Sequence, residues 1–148
     1  MSGTGFVGKT TDNVVVDLNG YTLSTDGERA FSVEGGTLNI QDSVGGGKIT
    51  GRANDSEKAA GTIMAYSGGT LNLYGGEICG GTSQAKIANG GVLFIGADSK
   101  FNMYGGKIYG GQASVGGNVY LADKSKFNMY GGTVQNGTAK KYVATNGK

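Results

Sequence analysis

A chain of 148 residues is long enough for one domain with a real core. With 31 Gly, a single Cys and no Pro, Trp or His, it cannot build an intramolecular disulfide framework, a multi-cysteine metal site or imidazole chemistry. The net charge of +2 is mild, no run of Lys or Arg forms a nucleic-acid or membrane patch, and no apolar stretch is long enough to span a bilayer.

In chain order the first feature is a motif. Gly3, Gly8, Lys9 and Thr10 spell the G-x-x-x-x-G-K-T of a phosphate-binding loop, Gly3, Gly5 and Gly8 spell G-x-G-x-x-G, and Val14-Val15-Val16-Asp17 follows like a magnesium-holding strand. Such a loop needs a buried strand to aim it and a helix whose N-terminal amides close on the phosphates. Only Met1 and Ser2 precede Gly3, and the residues after Thr10 are β-branched or Asn, which disfavour a helix. Asp17 also follows too closely for a helix to fit. Neither a nucleotide nor any other cofactor is expected.

Repeats come next. An opening coil is expected over residues 13–29, four repeat units over 30–139, and the start of a further coil over 140–148, as in a piece of a longer repeat protein. Four segments superimpose: GGTLNIQDSVGGGKITG at 35–51, GGTLNLYGGEICGG at 68–81, SKFNMYGGKIYGG at 99–111 and SKFNMYGGTVQNG at 125–137. Each follows a short apolar stretch, at 31–33, 63–65, 93–95 and 119–121, and the last two units align without a gap at a spacing of 26. A repeat of this length indicates a solenoid, in which stacking completes a core that no single unit can bury.

Within a unit, three short pieces alternate with period two, as strands do. Stacking the units places Leu38, Leu71, Phe101 and Phe127 in one inward column, and Ile40, Leu73, Met103 and Met129 in a second. A third runs Ile49, Ile78, Ile108, Val134; the first strand adds Phe31, Ile63, Leu93, Val119 and Val33, Ala65, Ile95, Leu121. Glycine pairs at 75–76, 80–81, 105–106, 110–111 and 131–132 are expected between strands, where sharp turns need positive φ. The predicted fold is therefore all-β, a right-handed parallel β-helix of about five coils, with Ser83–Ala88 forming at most a turn.

The stretches DLNGYTL (17–23), GGTLNI (35–40), GGGKITG (45–51), GGNVYL (116–121) and KFNMYGGTVQNGTA (126–139) resemble the β-helix repeats of the pectate-lyase-like superfamily. The likeness covers about residues 13–139 and is closest to versions in surface or secreted proteins of gut and oral anaerobic bacteria. It implies an extracellular or cell-surface parent protein, although this chain carries no signal peptide. Two sequons, at Asn54 and Asn136, matter only in a eukaryotic secretory host.

Enzymes on this fold depend on acidic clusters, and hydrolysis needs two carboxyls converging on one bond. Here no catalytic residue set is expected: Arg52, Asp55, Glu57 and Lys58 read as a solvated loop, and Asp42 and Glu77 stand alone. Glu77 is better placed as the middle of a Lys48–Glu77–Lys107 column. Cys79 falls in an outward column with Thr50, Tyr109 and Gln135 and reads as incidental.

The outward positions are more suggestive. Asn39, Asn72, Asn102 and Asn128 form one column, Gln41, Tyr74, Tyr104 and Tyr130 a second, and Ser32, Met64, Phe94 and Tyr120 a third. Phenol rings beside amides suit sugars, so Tyr74, Tyr104, Tyr130, Asn72, Asn102 and Asn128 are the candidate binding residues. The same columns equally serve the solenoid alone. Insertions at 52–60, 82–89 and 112–115 would emerge on one side and wall a shallow groove.

The expected function is that of a non-enzymatic structural or adhesive module. The alternative is a polysaccharide-binding or polysaccharide-degrading domain. Extracellular glycans, host or bacterial surface molecules and further copies of the chain, end to end or side by side, are the expected partners. An ice-binding array would want Thr-x-Thr outward, which the repeats lack.

Overall fold

The computed structural model describes residues 5–8, 10–25, 29–51, 61–82 and 89–140, and these form strands, turns and bends with no helix. Three parallel sheets face one interior, and the chain visits them in rotation, which makes a β-solenoid. The first sheet stacks β1 (Gly5–Val7), β4 (Phe31–Glu34), β7 (Ile63–Tyr66), β10 (Leu93–Ile95) and β13 (Val119–Leu121). The second stacks β2 (Asn13–Asp17), β5 (Thr37–Gln41), β8 (Thr70–Leu73), β11 (Lys100–Met103) and β14 (Lys126–Met129). The third stacks β3 (Thr22–Ser24), β6 (Lys48–Thr50), β9 (Glu77–Thr82), β12 (Lys107–Ala113) and β15 (Thr133–Gln135), with β16 (Thr138–Ala139) alongside the far end of β12.

The register is the one the repeats predict. Phe101 pairs with Leu71 and Phe127, Met103 with Leu73 and Met129, and Ile108 with Ile78 and Val134. A slip of one residue would turn every one of these side chains to solvent, so the apolar pattern itself fixes the pairing.

The coil count needs one correction. About five coils are present as strands, but only three turns are enclosed. In the middle turns Leu38, Ile40, Ile49, Ile63, Leu71, Leu73, Ile78, Leu93, Ile95, Phe101, Met103 and Ile108 are completely buried. The outer rungs have a neighbour on one side only, so in the same inward columns Val14 remains 37% exposed, Leu121 44% and Met129 51%.

Two further differences concern the strands. The solenoid opens earlier than Asn13: Gly5–Val7, inside the apparent phosphate-loop motif, is itself a strand paired with Phe31–Val33. The glycine pairs at 75–76, 105–106 and 131–132 lie between second-sheet and third-sheet strands, as expected. Those at 80–81 and 110–111 lie inside β9 and β12 instead. Gly80 and Gly110 have φ of 68° and 75° and drop out of the ladder, which runs Cys79↔Tyr109 and then resumes at Gly81↔Gly111. A left-handed residue thus bends each strand without ending it, which is how one strand spans a corner of the coil.

Buried polar side chains close these bends. Asn118 accepts a hydrogen bond from the Gly111 amide through Oδ1 (3.0 Å) and donates one to the Gln135 carbonyl through Nδ2 (2.7 Å). The Thr62 hydroxyl, fully buried, donates to the Gly80 carbonyl at 2.7 Å. Neither residue stands out in the repeat alignment, because each serves one bend rather than a column.

Candidate functional site

The outward face of the second sheet carries the candidate residues. Alternation along each strand turns Lys100, Asn102 and the following Tyr104 to one side while Phe101 and Met103 point into the core. Register then stacks these positions rung upon rung into columns of Lys or Thr, Asn, and Tyr.

The Asn column is a continuous hydrogen-bonded ladder. Asn72 Nδ2 donates to Asn39 Oδ1 at 2.9 Å, Asn102 to Asn72 at 2.8 Å, and Asn128 to Asn102 at 2.9 Å. Asn39 in turn donates to Asn13 Oδ1 at 2.6 Å and to the Val14 carbonyl at 3.2 Å, which anchors the ladder on the first rung. Each internal amide therefore uses a donor and its acceptor along the axis.

The Tyr column is a stack. Tyr74 and Tyr104 lie 4.8 Å apart at 5°, Tyr104 and Tyr130 5.1 Å apart at 12°. A rung spacing near 4.8 Å places like planar side chains face to face. The ring faces a pyranose would cover are thus shared between neighbours, and Tyr104 offers solvent its edge and hydroxyl. Tyr130, at 69% exposed, keeps one open face at the end of the stack. The first-sheet column behaves alike, with Phe94 and Tyr120 stacked at 5.2 Å.

On the third sheet, Glu77 sits between Lys107 (3.4 Å) and Lys48 (3.6 Å) and accepts the Tyr109 hydroxyl at 2.7 Å. The Tyr109 hydrogen bond, ahead of the two lysines, holds the Glu77 carboxyl below its usual range. The same bond, by tying up the neutral phenol, pushes Tyr109 up to about 12. Cys79, in an outward column, is nonetheless buried, with Thr50 and Tyr109 beside it on adjacent rungs.

Asp42 and Glu77, isolated in the sequence, come together in a hollow of about 270 Å³ with Gly45, Gly46, Gly76, Gly106 and Lys107. Both carboxylates already have partners. Asp42 accepts the amides of Gly20 (2.8 Å) and Gly47 (2.7 Å), so it fastens two turns at the corner where the second sheet meets the third. Among the described residues, no group of three acidic or Cys side chains is placed to hold a metal ion. Arg52, Asp55, Glu57 and Lys58, the turn expected at 83–88 and the tail at 141–148 lie outside the described residues. Of the three insertions, the last is partly strand: β12 runs on to Ala113, and Val115 bridges Asn89.

These acids make the fold sensitive to low pH. Asp17 accepts the amides of Ser43 and Asn19 (3.0 Å each) and the Gln41 side chain (3.1 Å), and the Ser43 bonds lead in lowering it from 3.8 to about 2. Asp42 is lowered as well, first by the Gly20 amide. A carboxylate depressed in the native state stabilises it above the unfolded value, and that stability is lost as pH falls through the native value. Urea midpoints are therefore expected to fall between about pH 4 and about pH 2, and Asp17→Asn to flatten that slope. A variant slope equal to that of the parent chain would remove Asp17 from the account.

Comparisons with protein families, curated proteins and solved structures return no match. The assignment the structure itself carries is architectural: the chain is a parallel β-solenoid.

Proposed function

We propose that the chain is a non-enzymatic structural module, a short rigid spacer or display element of a bacterial surface or secreted protein. The likeness of its repeats to the pectate-lyase-like superfamily supports that lineage and setting. One observation carries the functional reading: the outward columns spend their binding capacity on each other. Asn amides bond along the axis, Tyr faces stack along it, and Glu77 is bracketed by two lysines. A ligand face of the same composition would leave ring faces and amides open to solvent.

Native affinity electrophoresis through gels containing pectin, xylan, mucin or bacterial wall glycan tests this. The wild type is expected to migrate as in a glycan-free gel. The Tyr104→Ala/Tyr130→Ala variant should migrate alike yet melt several degrees lower, since stacked aromatic pairs contribute about 0.5–1.5 kcal/mol each beyond burial. Retardation of the wild type that the double variant loses would instead establish the glycan-binding alternative, with Tyr130 as its platform. Clearing of polymer would point to the Asp42–Glu77 hollow and to Asp55 and Glu57.

A further inference from the structure

We propose that the corner where the second sheet turns into the third is a binding channel for a flat, elongated polyphenol, an aromatic scaffold with hydroxyl groups at both ends. The inference goes beyond the structural reading of the columns and leaves it intact, since the Tyr stack and the Asn ladder stay as they are.

The floor of the channel is glycine. The hollow of about 270 Å³ is lined by Gly45 and Gly46 after β5, by Gly76 after β8 and by Gly106 after β11, so it crosses three successive turns of the solenoid. At about 4.8 Å per rung, the outer two lie about 10 Å apart along the axis. Backbone bonds tie this floor from turn to turn: the Glu77 amide donates to the Gly47 carbonyl and the Lys107 amide to the Gly76 carbonyl, each at 3.0 Å. A ligand therefore meets a surface that is already ordered and carries no side chains to immobilise, which keeps the cost of binding low.

The two sides select the shape. Tyr74 and Tyr104 stand two residues ahead of Gly76 and Gly106, and Glu77 and Lys107 follow directly. From Tyr to the charged residue the chain reaches at most about 10 Å, so a molecule one ring wide fits between them. Rings stacked along the axis turn their edges, not their faces, to whatever lies beside the column. Aromatic edges are electropositive and prefer the electron-rich face of another ring. A pyranose needs a ring face to cover, whereas a polyphenol laid along the axis offers its own face to both edges.

The polar groups select the hydroxyls. An ionised carboxylate has about four acceptor sites. Asp42 gives some to the amides of Gly20, Gly45 and Gly47, and Glu77 gives some to Tyr109, Lys48 and Lys107, which leaves about one on each. Those remaining sites want donors, and phenolic hydroxyls supply them. Lys107, one turn beyond Glu77, has a further N–H for an oxygen at the other end of the ligand.

The probe is trans-resveratrol, a flat hydroxylated stilbene, set against its cis photoisomer, which has the same atoms but is bent out of plane. Amide NMR of the isotope-labelled full chain is expected to show saturable shifts at Gly45, Gly46, Gly76 and Gly106 with a Kd on the order of 0.1 mM for the trans isomer. The cis isomer should bind at least about tenfold more weakly, because it cannot lie on both ring edges. Gly46→Asn fills the mouth of the channel: an added Cβ there meets open space, and Asn tolerates the φ of +85°. The spectrum should otherwise be unchanged, while trans affinity falls at least about fivefold. Three results would overturn the proposal: shifts that do not saturate or lie elsewhere, equal affinity for the two isomers, or full affinity in a folded Gly46→Asn chain. Shifts of the same glycines by cellobiose and not by the stilbene would overturn it in favour of the glycan-binding alternative.

Discussion

Gly91→Ala is expected to cost more than about 3 kcal/mol and to leave little of the chain folded at 37 °C. A methyl group at Gly91 would fall inside the Gly117 carbonyl oxygen and the Gln112 amide, and 2.7 Å from the Gly111 carbonyl carbon. Gly111 answers with the same crowding, against the Gly117 carbonyl oxygen, Val92 and the Gly91 carbonyl carbon. Overpacking that side chains can absorb costs about 1–3 kcal/mol. Here the obstacles at Gly91 are backbone, and moving one rung disturbs the next. Small domains hold only about 5–15 kcal/mol in total, so a loss of this size is visible in any urea titration.

Gly68 is the control. An added Cβ there meets open space, and the only penalty is its φ of +82°. Gly68→Ala should therefore cost about 1 kcal/mol. Gly91 has no positive φ, so equal losses at the two positions would mean that the rungs give way to a methyl group and that their close approach does not explain why Gly91 is glycine.

The contrast also shows what a repeat alignment reads well. Inward columns were legible because period-two alternation and a constant spacing act together: a Phe101 that must point inward forces Leu71 and Phe127 to do so. The Asn and Tyr columns were legible for the same reason. What the Tyr rings do with one another was not, since face-to-face stacking follows from the distance between rungs rather than from residue identity. Glycine pairs were less informative still. Gly75-Gly76 turns a corner and Gly80-Gly81 bends a continuing strand, yet the letters are the same.

Corners between the first and second sheets escaped notice for the opposite reason. They are built by Ser67, Asp98 and Lys124, with φ of 53°, 58° and 56°, and closed by bonds such as Ser99 N to the Gly96 carbonyl at 3.2 Å. Asp and Lys at a left-handed position carry no mark in a sequence otherwise rich in Gly. Cys79 is a related case. Alternation correctly set it outward, but outward is not exposed when its neighbours in the column include a tyrosine.

Phe101→Ala and Asn102→Ala, adjacent residues on one strand, should separate what holds the stack from what stiffens it. Phe101 is completely buried, and its ring lies 4.7 Å from that of Phe127. Truncation leaves a cavity in an enclosed turn and should cost about 3–5 kcal/mol. Asn102 loses one bond to Asn72 and one from Asn128, both at a half-buried face where water can substitute. At about 0.5–1.5 kcal/mol per bond, the expected loss is about 1–3 kcal/mol. The inward member should thus dominate, since the ladder exchanges protein partners for water while the core has nothing to exchange. Urea midpoints of the two variants decide the order. If Asn102→Ala proved the more damaging, the amide ladder rather than the apolar column would be the main strut of the solenoid. The amides of the lateral face would then serve the stack first, each internal one keeping a single N–H for solvent.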